Sequence, residues 1–208
     1  MATPSTFIAI VLDRSGSMAP LRDDVIGGFN MLLEEQQALP GEARLLLAQF
    51  DSDYEIVFDA VPIADVPVLT RATFVPRSGT ALLDALGRTI EDVSARLGRL
   101  PVGERPSRVL LAVFTDGEEN SSRRYTAAAV TRLIEARRAE GWDLLFLGTS
   151  PVAVDDSVGW GIDGSSTMVM SATGLGFRLA FRAVSDSLIL KRRGQSTTLA
   201  AAARKKMN

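Results

Sequence analysis

Histidine and cysteine are both absent from this 208-residue chain, and no lysine occurs before Lys191. Without histidine there is no Ser-His-Asp triad, no imidazole general base and no His-ligated zinc or iron. Without cysteine there are no disulfides, thiolate metal sites or thiol nucleophiles, which agrees with a reducing compartment. Any catalysis would have to rest on carboxylates, lysine, tyrosine, hydroxyls or a metal. No apolar run is long enough to span a bilayer, and residues 1–5 lack the charged start of a signal peptide. The expected address is cytoplasmic, with no membrane partner.

What remains is an ordinary globular mixture, 46% hydrophobic and 23% charged. That length and balance suit one domain with a real core. The net charge of −2 is unevenly placed: Lys191, Arg192, Arg193, Arg204, Lys205 and Lys206 give the end a local +6, which leaves the body at −8. We therefore expect a domain over residues 1–190 and a basic, flexible tail over 191–208. The acidic body offers no general case for nucleic-acid binding.

Residues 7–12 form a continuous apolar run of the kind buried on both faces of a parallel sheet. Ser17 is placed to cap the helix that follows, whose apolar positions Val25, Phe29, Leu32 and Leu33 have helical spacing before Pro40-Gly41 stops it. Residues 43–50 predict a second strand, Asp51 and Asp53 a turn, and residues 54–58 an antiparallel partner. Residues 61–76 read as loop with one short helix. A helix from Thr80 runs through Leu83, Leu86, Ile90, Val93 and Leu97, with Asp84 as an exposed acid. Further strands are predicted at 109–114, 144–147 and 167–170, and helices around Val130, Leu133 and Ile134 and over 177–190. Asp155 and Asp156 fall in a loop or cap position. Strands alternating with helices make this a three-layer, doubly wound α/β domain, with a mostly parallel sheet and one antiparallel edge strand.

Three short segments carry the chemistry. Asp13-Arg14-Ser15-Gly16-Ser17 follows the first strand, Ser78-Gly79-Thr80 opens an apolar helix, and Thr115-Asp116-Gly117 closes a second buried strand. In open α/β sheets, ligands sit beyond the carboxyl ends of the strands. If those two strands are neighbours, Asp13 and Asp116 project from one edge. Asp13, Ser15, Ser17, Thr80 and Asp116 then form an all-oxygen set suited to a hard divalent cation, Mg²⁺ above all, with Mn²⁺ or Ca²⁺ as substitutes. Glu118 and Glu119 read as solvated loop acids. Arg14 either flanks the site, favouring an anionic partner, or points into solvent.

The ordered set Asp13-x-Ser15-x-Ser17, Gly79-Thr80 and Asp116-Gly117 resembles the metal-ion-dependent adhesion site of von Willebrand factor A domains, and the likeness extends over residues 7–190. The resemblance implies a Rossmann-like fold in which Ser15, Ser17 and Thr80 contact the metal by their hydroxyls. Asp13 and Asp116 act through water or by orienting the serines. It also implies a vacant coordination position for an Asp or Glu of a protein partner. Ser78, where the family often has glycine, is a departure that removes no ligand.

The expected function is thus a non-enzymatic, metal-dependent protein-binding module. The resemblance further implies an adaptor in a bacterial cytosol, beside an AAA-type ATPase or in stress or defence. One alternative is a Mg²⁺-dependent phosphohydrolase with Asp13 as nucleophile, similar to haloacid dehalogenases. Those enzymes need a second acid where this chain has Ser15, and a lysine that residues 1–190 do not contain. The other alternative is nucleic-acid binding through the basic tail.

Overall fold

The computed structural model describes residues 5–195 and Leu199. Six strands form one sheet in the order β3-β2-β1-β4-β5-β6: β1 Thr6–Asp13, β2 Ala43–Phe50, β3 Tyr54–Pro62, β4 Arg108–Thr115, β5 Asp143–Gly148 and β6 Thr167–Val169. Among the described residues, only the β2–β3 edge pair is antiparallel. The helices are α1 Arg22–Gln37, α2 Leu82–Arg99, α3 Ala127–Ala139, α4 Pro151–Gly159 and α5 Gly174–Arg192.

Alternation along each strand divides the core in two. Ile8, Ile10 and Leu12 of β1 point with Leu110 and Phe114 of β4 into a layer closed by α1 and α5. Phe7, Ala9 and Val11 point to the other face, against α2, α3 and α4. Successive strand side chains face opposite ways, so a strand buried on both sides has to be apolar throughout. That is why β1 and β4 read as unbroken runs. Each large side chain buried here contributes about 1.5–3 kcal/mol. The Phe114 ring stacks on Phe181 of α5, centroids 4.2 Å apart, and locks that helix to the centre of the sheet.

The three-layer, doubly wound prediction holds, with four local corrections. β3 runs on to Pro62, past the predicted end at 58, through register shifts opposite Leu45, Leu47 and Ala48. Asp155 and Asp156 lie inside α4, which Ser150 caps by accepting from the Ala153 amide, with Pro151 in the first turn. The last helix continues to Arg192. Its end is anchored, since Lys191 pairs with Asp143 and Arg192 donates to the carbonyls of Gln36, Leu39 and Gly41. The expected flexible tail therefore does not start at Lys191. Arg204, Lys205 and Lys206 lie outside the described residues.

Candidate metal centre

Strand order reverses between β1 and β4, which run parallel and in register from Thr6↔Arg108 to Leu12↔Phe114. The backbone therefore delivers Asp13, the last residue of β1, and Asp116, just beyond β4, to one edge. Such a reversal opens a crevice that no crossover covers.

Asp13 is buried and both its oxygens are engaged. The Ser15 amide donates to Oδ1 at 2.7 Å and the Thr115 hydroxyl to Oδ2 at 2.5 Å. Burial drives its carboxyl up to about 6, against the pull of those hydrogen bonds and with a small push from Asp116. Asp116 is half-buried and open to the crevice. Its Oδ1 accepts from Ser17 Oγ at 2.8 Å and, more weakly, from Ser15 Oγ at 3.4 Å, and the two serine hydroxyls are 3.1 Å apart. Burial raises the Asp116 carboxyl too, opposed by the two serines.

Thr80 arrives from the far side. Its amide donates to Asn120 Oδ1 at 3.0 Å, and the Asn120 amide donates back to its carbonyl at 3.1 Å. A Cβ added to Gly117 would stand 3.1 Å from Thr80 Oγ1, which puts that hydroxyl against the Asp116–Gly117 backbone. Gly79 admits the approach. A Cβ there would fall 2.4 Å from Ser121 Oγ and 2.9 Å from Ser52 Oγ, so no larger residue fits without rearrangement. The Thr80 hydroxyl has no hydrogen-bond partner among the described residues.

The structure thus gathers all five predicted residues, and reassigns several neighbours. Ser17 does not cap a helix: it lies inside a short 3-10 turn, Gly16–Leu21, and spends its hydroxyl on Asp116. Thr80 does not cap α2 either. That work falls to Glu119, whose Oε2 accepts from the Leu83 amide at 2.8 Å while its Oε1 takes the amides of Ser121 and Ser122. Asp84 accepts from the amides of Arg123, Arg124 and Tyr125, so it anchors the loop after β4. Arg14 does not point into solvent. Its guanidinium is buried against Asp51, Gln49 and Glu55. Asp51 belongs to the turn as expected, accepting from the Asp53 amide, but is also buried in an ion cluster. Thr115, Asn120, Asp51 and Glu119 support the site, a role that the sequence does not assign to any of them. Only Thr115 carried a signal, as the first residue of the Thr-Asp-Gly segment.

The donor set fits a hard cation. Every converging atom is a hydroxyl or carboxylate oxygen, which suits Mg²⁺ or Mn²⁺ and not a soft metal. Neither Asp13 nor Asp116 is ion-paired among the described residues, so their charge is uncompensated. No group of three or more His, Cys, Asp or Glu side chains able to hold a metal occurs among them either. With only two acids in the set, much of a divalent charge would remain available to a further anion.

No family sequence model matches the chain, and no curated protein matches it by sequence. Solved structures do match by shape. The vWF domain of the type V pili tip protein Mfa5 from Porphyromonas gingivalis superposes with a TM-score of 0.68 at 11% identity, covering 95% of this chain and 99% of that one. Proximal thread matrix protein 1 from the mussel byssus gives 0.60 at 15% identity over 88% of this chain, which spans about half (46%) of that protein's length. It is also known with a zinc-occupied MIDAS motif. Manganese-loaded TRAP protein of Plasmodium vivax gives 0.56 at 14% identity, covering 85% of this chain and 73% of that one. A doubly wound sheet with an antiparallel edge and a crevice at its switch point defines the class. Within it, this chain has the von Willebrand factor A fold.

Proposed function

We propose that this protein is a non-enzymatic binding module that takes a divalent cation, Mg²⁺ in the first instance, at Ser15, Ser17 and Thr80. In this reading Asp116 faces the cation and orients both serines. Asp13, with both oxygens already engaged, holds the loop from behind. The cation would supply positive charge to an incoming carboxylate, so the partner is a protein offering an Asp or Glu side chain. The observation that carries the reading is the convergence of the Ser15, Ser17 and Asp116 oxygens beside Thr80 with no cationic side chain paired to them. The zinc- and manganese-bearing proteins of the same fold support a divalent metal. An adaptor role in a bacterial cytosol belongs to the same proposal and rests on the family resemblance; the absence of cysteine agrees with a reducing compartment.

Mg²⁺ and Mn²⁺ titrations by calorimetry on wild type, Ser17→Ala and Asp116→Ala test it. Binding by wild type and a loss of at least tenfold in each variant are expected. Equal binding by all three would sink the assignment.

A further inference from the structure

Asp51 lies at the end of β2, outside the five-residue set, yet it touches both loops that bring hydroxyls to the crevice. It is 1% exposed. Its Oδ2 accepts from Arg14 Nε at 2.9 Å and from Arg77 Nε at 2.8 Å. Its backbone carbonyl accepts from the amide of Ala81, the residue after Thr80, at 2.8 Å. Arg14 stands between Asp13 and Ser15, and Arg77 stands three residues before Thr80. The two loops are also stitched to each other. The Arg77 amide donates to the Arg14 carbonyl at 2.7 Å, and the Gly16 amide to the Ser78 carbonyl at 3.0 Å.

From this geometry we infer that Asp51 is a positioning residue, which holds the Ser15–Ser17 loop and the Thr80 loop in fixed register so that their hydroxyls meet at one cation. The inference rests on the function proposed above. Each guanidinium donates from Nε to the same carboxylate oxygen in a charge-assisted hydrogen bond, so one buried acid ties the two loops to one point. The charge arrangement serves the same end. Arg14 and Arg77 would repel a cation in the neighbouring crevice, and Asp51 together with Glu55, which accepts from Arg14 Nη1 at 2.5 Å, neutralises them locally.

Positioning and charge make opposite forecasts for Arg77, which is half-exposed and removable without opening the core. If Arg77 acted only as a charge, Arg77→Gln would tighten cation binding. As part of a positioning hub, its loss weakens binding. Mn²⁺ affinity of the full chain is measured by calorimetry for wild type, Asp51→Asn and Arg77→Gln, together with hydrogen exchange at Gly16 and Ala81 in EDTA. We expect affinity to fall at least tenfold in Asp51→Asn and about threefold in Arg77→Gln, with faster exchange at both amides and none of that change in β4. Unchanged or tighter binding in Arg77→Gln, or protected Gly16 and Ala81 amides in Asp51→Asn, would overturn the inference. Should Asp51→Asn fail to fold, the sign of the Arg77→Gln effect decides alone. If wild type binds no Mn²⁺, the cation reading falls, and exchange at the two amides still decides whether Asp51 ties the loops.

Discussion

The two strand ends that meet at the crevice carry the same side chain and treat it differently. At the end of β1, Asp13 is sealed from solvent, with a backbone amide on one oxygen and the Thr115 hydroxyl on the other. Beyond the end of β4, Asp116 is half open and accepts from the hydroxyls of Ser15 and Ser17. The supports differ as well. Next to Asp13, Arg14 is tied to Asp51 in a buried ion pair, whereas the loop after Asp116 is held by acceptors reaching from Glu119 and Asp84 to backbone amides. One acid is built in as framework, and the other is presented as a contact. An acidic pair whose members differ in this way allows one to fix geometry while the other exchanges partners.

The largest test of that contrast is pH. The folded state holds the Asp13 proton up to about pH 6, whereas the unfolded chain releases it near the ordinary value of 3.8. A carboxyl raised on folding contributes most below the lower value. Its contribution is lost as pH rises from about 4 through 6, because the ionised form is what burial penalises. Each tenfold change in proton affinity is worth about 1.4 kcal/mol. Asp13→Asn keeps the shape, and its amide can donate to Thr115 Oγ1 while that hydroxyl donates to the Gly117 carbonyl, 3.2 Å away. Denaturant titrations in EDTA should find Asp13→Asn more stable than wild type by about 1–3 kcal/mol at pH 7.5 and equal to it at pH 4. Saturating Mg²⁺ should stabilise the variant as well as wild type, because Asp13 fixes the loop while the cation contacts lie on its neighbours. A variant less stable than wild type at pH 7.5 in EDTA would erase the contrast between the two acids.

Glu119→Ala attacks the other strand end. It removes the acceptor for the Leu83, Ser121 and Ser122 amides, so α2 keeps only Ser122 Oγ at its start and the loop after Asp116 keeps its Asp84 fastening. A lost cap costs about 1–2 kcal/mol, which should appear as a lowered denaturant midpoint. The same variant should speed hydrogen exchange at Ser121 and Ser122 and leave the Ser15 amide protected. Exchange that rises equally at both strand ends would mean the two supports are one.

Much of this architecture is legible in the sequence because burial on both faces writes itself as an apolar run. β2 and β4 were found to within a residue or two for that reason. The five candidate residues stand out because four lie in the segments leaving β1 and β4 and Thr80 opens the apolar-faced helix α2. α4 was missed although it carries a local signal, a capping serine followed by proline at Ser150-Pro151; the helix is only nine residues and its Asp155-Asp156 pair resembles a loop. Arg14 and Glu119 were not readable at all. The Asp51 partner of Arg14 lies 37 residues away and the Leu83 partner of Glu119 lies 36 away, so a local reading shows neither contact. Ser17 failed for a related reason: a helix cap is the local option, and Asp116, 99 residues on, supplies a charged acceptor instead.

The smallest effect on stability falls on Asp116 itself, and it sharpens the contrast most. Asp116→Ala deletes one half-buried acceptor from two serine hydroxyls that can still bond each other at 3.1 Å. Relief of an uncompensated charge offsets the loss of those bonds, so the expected change in EDTA is within about 1 kcal/mol. Cation affinity should fall at least tenfold in the same protein. A stability loss as large as a core substitution would make Asp116 framework like Asp13. A near-silent melt combined with lost cation binding would instead separate the two roles, because removing a group that only supports the fold cannot abolish binding while leaving the fold untouched.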